Sequence, residues 1–140
     1  MRTSGIVPII GTATGAGVCT PATVKAEATV ETALALTQAQ NELIREACCY
    51  GRMSLRVAAA NKVLSPSFTV DALQGSFDGT NFVTLQSFAP LAVTANGELG
   101  LIEIVTHLPR RLTHLKVLIT VTTLDSSNYL DLLLALMVES

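Results

Sequence analysis

From Leu130 to Val138 every second residue is large and apolar: Leu130, Leu132, Leu134, Leu136 and Val138. A period of two puts all five on one face of an extended chain, whereas a helix would scatter them around its axis. The same alternation recurs at Leu115, Val117, Ile119 and Val121, at Phe68, Val70 and Ala72, and at Met53, Leu55 and Val57. Further back, Val24, Ala26, Ala28, Val30, Thr32, Leu34 and Leu36 hold one parity, against Lys25, Glu27, Thr29 and Glu31 on the other. That is the pattern of a strand with one wet face.

Turn formers separate these runs: Asp78-Gly79, Ala95-Asn96-Gly97, Pro109-Arg110-Arg111 and Ser126-Ser127-Asn128. Asp-Gly and Asn-Gly are strong hairpin signals, because a type I′ turn needs positive φ at both central residues. Thr37 to Asn41 reads as a polar turn. In Glu42 to Tyr50 the spacing of Leu43, Ala47 and Tyr50 suits a helix, but the β character of everything after it favours a strand. About eight short strands with no long helix predict an all-β chain, an antiparallel β-sandwich or jelly roll.

Residues 1–23 differ from the rest. Gly5 to Gly17 mixes β-branched residues with glycines, and Pro8 and Pro21 deny the segment a helix or a central strand. It reads as an extended N-terminal arm ahead of a sandwich domain over 24–140. Two fates are open to it: an edge strand on its own domain, or a reach onto a neighbouring subunit. For the second, Ile6, Val7, Ile9 and Ile10 are the candidate partner-binding residues.

Composition narrows the function. Of 140 residues 49% are hydrophobic and only 14% charged, with a formal charge of -2. No general field favours nucleic acid or an anionic membrane. No apolar run approaches the ~20 residues of a membrane span, and none is placed as a signal peptide. High hydrophobicity without a span suggests buried faces beyond one core, as in an assembly subunit. Aromatics are 4% with no Trp, which argues against sugar-stacking platforms and base stacking. Three cysteines, two of them adjacent at Cys48 and Cys49, read as reduced small hydrophobes without metal-ligand spacing.

No constellation of catalytic residues stands out, and no catalytic, cofactor or metal site is expected. His107 and His114 flank one loop without clustered carboxylates or thiols, a weak metal pattern. Asp71, Asp78, Glu98, Glu103, Asp125 and Asp131 are scattered, and no spacing selects an acid–base pair; a calcium ion at a sandwich edge would use Asp71 or Asp125, a reading outweighed by solvated or turn carboxylates. Gly11 to Gly17 lacks the Lys-Ser/Thr ending of a phosphate loop, and no Gly-x-Ser-x-Gly elbow is present. The local basic cluster, Arg110 and Arg111 with His107, His114 and Lys116, suits a solvated loop or contact with an acidic partner surface.

One run carries a resemblance. Residues 65–85 are similar to a hairpin that recurs in small structural proteins of tailed bacteriophages: a strand, Ser-x-Asp-Gly-Thr-x-aromatic, and a second strand. Here Ser76, Asp78, Gly79, Thr80 and Phe82 hold those places, with Asp78 and Gly79 as the turn. Discoidin-like and other carbohydrate-binding sandwiches use a comparable hairpin. With its few charges and apolar first segment, the chain resembles capsid decoration (cement) proteins, which clamp capsid subunits on the outside of a phage head. That resemblance implies a virion protein assembled in the host cytoplasm, a homo-oligomer with a trimer favoured, bound to the major capsid protein or other virion subunits. It implies no enzyme activity and no cofactor. Baseplate, neck and tail-fibre subunits use the same sandwiches. A glycan-binding module is the other alternative, with Tyr50, Tyr129 or Phe82 lining its groove; Phe82 stands where Trp is frequent, which weakens the sugar reading more than the structural one.

Overall fold

The computed structural model describes residues 4–15, 18–25, 33–62, 68–106, 108–109, 111–121 and 124–139. Its strands are β1 (Ser4–Ile10), β2 (Thr12–Gly15), β3 (Val18–Thr20), β4 (Ala22–Val24), β5 (Leu34–Ala35), β6 (Arg52–Ala60), β7 (Phe68–Ser76), β8 (Phe82–Ala92), β9 (Gly97–Ile104), β10 (His114–Val121) and β11 (Leu130–Glu139). One helix, α1 (Gln38–Tyr50), stands between β5 and β6.

Two antiparallel sheets pack face to face, in the orders β1-β11-β6-β9 and β5-β10-β7-β8, with β4 also on β11. The pairings β1–β11, β5–β10, β6–β9 and β7–β8 describe one long antiparallel ribbon doubled back at the β7–β8 hairpin. Folding that ribbon over itself gives the further pairs β6–β11 and β7–β10. This is the strand order of a jelly roll.

The alternation reads out directly in the core. Leu130, Leu132, Leu134, Leu136 and Val138 of β11 are all buried, and they join Leu55 and Val57 of β6 and Leu115 and Val117 of β10 in one cluster between the sheets. Such cores are close-packed, so each side chain's volume is constrained by its neighbours.

The first segment is part of this domain in the described residues. β1 pairs with β11 from Ser4↔Glu139 to Ile10↔Leu134, and β4 continues along the same edge with Leu130↔Val24. Val7, Ile9 and Ile10 are buried in the central core, which is the edge-strand alternative for this segment. Between β1 and β4 the chain makes an excursion, the β2–β3 hairpin, which lies over the outer face of the five-stranded sheet. Cys19 and Ile6 pack there against Ala58, Leu133 and Ala135 in a second, smaller cluster. Gly11 starts the excursion at φ +131°, where an added Cβ would sit 2.7 Å from Leu133 Cδ1 and 2.8 Å from the Thr20 carbonyl oxygen. Only glycine fits both the backbone and the gap.

Three expectations are corrected. Gln38–Tyr50 is a helix, and the polar run before it is its start rather than a turn. Thr37 is the N-cap: its Oγ1 accepts from the Gln40 N–H at 3.1 Å, while Gln40 Oε1 accepts from the Thr37 N–H at 2.9 Å. This reciprocal capping box fixes the first turn. Leu43, Ile44, Ala47 and Cys48 then form a helical stripe against the core. Of the strand expected from Val24 onward, Val24 ends β4, Lys25 is not in a strand and Leu34–Ala35 form β5, while 26–32 lie outside the described residues. Finally, Asp78-Gly79 is not a two-residue type I′ turn. Ser76 pairs with Phe82, leaving a five-residue loop in which Gly79 alone has positive φ, +82°.

Candidate functional site

The loop at the end of the β7–β8 hairpin is organised by one carboxylate. Asp78 Oδ1 accepts from the backbone N–H groups of Thr80 and Asn81, both at 2.8 Å, and from Ser76 Oγ at 2.9 Å. Asp78 Oδ2 accepts from Asn81 Nδ2 at 2.8 Å. Ser76 Oγ in turn accepts from the N–H groups of Asp78 and Gly79. Four donors on one carboxylate, the backbone ones foremost, hold Asp78 well below the ordinary carboxylate range. The buried Ser76 also anchors the loop to the neighbouring strand, through bonds from Thr113 N and Oγ1 to its carbonyl. Gly79 lies against the ring of His114, where a Cβ would meet Cε1 at 2.7 Å. The Ser-x-Asp-Gly-Thr signature is therefore an internally hydrogen-bonded structural loop.

Both described aromatics expected to line a sugar groove are occupied by cations of this chain. Lys116 Nζ lies 4.6 Å from the Phe82 ring centroid, and Lys25 Nζ lies 5.0 Å from that of Tyr129. Beside Tyr129, Asp131 accepts from Thr23 Oγ1 at 2.7 Å and Asn61 Nδ2 at 2.8 Å, a pin between β4, β11 and the end of β6. The Tyr50 side chain lies outside the described residues.

Of the arm residues, Val7, Ile9 and Ile10 face this chain's own core and Ile6 lies half-buried in the outer cluster. The surface apolar residues are others. Leu101 of β9 is 65% exposed and Val105 just beyond it 74%. They share a parity with Glu103 on the last strand of the five-stranded sheet, whose far edge has no strand partner among the described residues. Sequence reasoning missed this edge because Leu99 to Thr106 is apolar on both parities, and only the sheet order says which parity faces out. Gln86 Nε2 of the other sheet holds β9 by donating to the Glu103 carbonyl at 2.9 Å, while its Oε1 accepts from the Val105 N–H at 2.9 Å. Upstream, both carboxylate oxygens of Glu98 accept from Arg56, an ion pair that lowers the Glu98 pKa.

The second feature is a cleft of about 810 Å³ between α1 and the turn before β10. Ile44, Leu108 and Leu112 form its floor, and Arg45 and Arg111 stand at its rim with Gln38 and Asn41. Arg111, one of the two expected basic contact residues, is thus placed at a concave surface; Arg110 and His107 lie outside the described residues. Cys48 lines the same cleft. Among the described residues, no three His, Cys, Asp or Glu gather where a metal ion would bind, and no helix is long and apolar enough to cross a membrane.

Comparison of the chain with protein-family models, curated proteins and solved structures gives no match.

Proposed function

We propose that this protein is a structural assembly subunit of a virion, a decoration subunit on the outside of a phage head that stabilises contacts between capsid subunits. The observation that carries the reading is the β9 edge: no strand pairs with its far side among the described residues, Leu101 and Val105 stand in solvent, and the Gln86 side chain meets its Glu103 carbonyl and the Val105 N–H at one end. Such an edge takes a further strand through its backbone, and its alternate side chains add apolar burial of about 25 cal/mol per Å². The jelly-roll strand order supports the reading, since capsid and lectin domains both use it, although fold alone does not fix function. The self-contained Ser76–Asn81 loop and the cation-covered rings of Phe82 and Tyr129 favour the structural class over the glycan-binding one.

The test is the solution mass by light scattering across a concentration series, for the wild type and for Leu101→Glu with Val105→Lys. A stable oligomer, a trimer being the first expectation, that dissociates in the double variant supports an assembly role for this edge. A wild-type monomer at every concentration, or an oligomer indifferent to the double variant, removes the edge as the joining surface.

A further inference from the structure

The cleft beside α1 combines an apolar floor with positive charge that has no partner among the described residues. Ile44 is 5% exposed, Leu108 7% and Leu112 2%, so the floor belongs to the main core and is rigid. Above it Arg45 and Arg111 have no ion pair or hydrogen bond among the described residues. The rim carboxylate, Glu42, accepts from Gln38 Nε2 at 3.3 Å on its own helix, so two cations stand against one anion. Arg111 is also held at φ +66°, left-handed backbone that a long side chain seldom adopts. The turn therefore holds a strained residue whose guanidinium, without a partner among the described residues, stands at the lip of a concave surface. Strain of that kind concentrates at ligand-binding sites. A volume near 800 Å³ with an apolar floor and a few polar groups at one side is the make-up of a small-molecule pocket.

We propose that this cleft binds a small amphipathic carboxylate, its alkyl body on Ile44, Leu108 and Leu112 and its charge paired with Arg45 and Arg111. Guanidinium groups match carboxylates with two parallel N–H donors, and the amides of Gln38 and Asn41 supply further donors at the rim. A neutral apolar ligand would leave both arginines unused, and a small hydrophilic anion would leave the floor wet. The site is independent of the β9 edge, so assembly and ligand binding stand or fall separately.

The experiment is isothermal titration calorimetry of the full chain with sodium dodecanoate, with dodecan-1-ol, and with sodium acetate. It is repeated on the variant carrying Arg45→Gln and Arg111→Gln, whose fold is checked by circular dichroism. Both substitutions are at exposed positions and leave the floor intact. The expected result is saturable one-to-one binding of dodecanoate that weakens at least about tenfold in the double variant, the scale of one lost charge-assisted contact. The alcohol is expected to bind at least about tenfold more weakly than dodecanoate, and acetate without detectable heat. No saturable binding of dodecanoate overturns the proposal. So does equal binding of the alcohol, or undiminished binding by the double variant, since either would make the site a hydrophobic crevice without anion recognition.

Discussion

The two sheets are covered unequally. The four-stranded sheet buries one face, and its other face is wet: Leu118 is 42% exposed, and nearby Asp71 accepts from Thr69 Oγ1 and Thr120 Oγ1. The five-stranded sheet is covered on its outer face as well around Ala58, Leu133 and Ala135, while at β9 that face leaves Leu101 exposed. Leu133 of its β11 points away from the core and is still only 2% exposed, because the β2–β3 excursion lies over it. The contrast explains part of the chain's high hydrophobicity without a partner: a second apolar cluster sits under its own N-terminal hairpin. Burial there pushes the Cys19 thiol up against the opposing pull of Arg56, so Cys19 acts as a small hydrophobe.

Substitutions on the two sheets test that contrast. The largest losses belong to the shared core, where Leu132→Ala or Leu134→Ala is expected to cost about 2–5 kcal/mol in urea unfolding. Leu133→Ala on the outer face is expected to fall in the lower part of that range, at about 2–3 kcal/mol. Its counterpart on the other sheet, Leu118→Ala, should stay within about 0.5 kcal/mol. Equal small losses at Leu133 and Leu118 would mean that the hairpin does not seal its sheet.

Gly11→Ala attacks the start of the hairpin, where the added Cβ would meet both the Thr20 carbonyl and Leu133 beneath it. The strained φ and the contact with the Thr20 carbonyl predict a loss of about 1–3 kcal/mol. The same variant should speed hydrogen exchange in β2 and β3 more than in β10. Thr37→Ala, on an element outside both sheets, sets the scale of a local defect: about 1 kcal/mol from the lost cap, with exchange faster in α1 alone.

The smallest effect is a dependence on pH. Asp78 has a depressed folded-state pKa, so its hairpin bonds stabilise the fold fully above the unfolded value near ~3.9 and lose that contribution as pH falls further. Asp78→Asn should flatten this part of the acid limb, seen as converging urea midpoints of wild type and variant toward about pH 2. Parallel midpoints over the whole acid range would show that the carboxylate contributes nothing to the hairpin.

Legibility followed the period of the pattern. The inner face of β11 was readable because five alternating residues leave no other face to bury. The β7–β8 hairpin was readable in place but not in type, because Asp78 organises its loop through side-chain acceptors that the Asp-Gly dipeptide does not reveal. The helix was missed although Thr37 and Gln40 stood at capping-box spacing; the β context outweighed a four-residue signal. Of the contact residues expected from the sequence, Arg111 came to a concave surface, while Val7, Ile9 and Ile10 went into the core.

The sequence alone determined that this chain is built of strands, and which parity of β11 is apolar, because side-chain direction along a strand is fixed by covalent geometry. Tertiary structure decided which strands neighbour one another, that β1 lies on β11, and that the excursion after Gly11 covers part of an outer face. It also decided that α1 and the turn at Arg111 face each other across a cleft. Those outcomes depend on contacts between residues far apart in the chain, whose energies a local pattern does not carry.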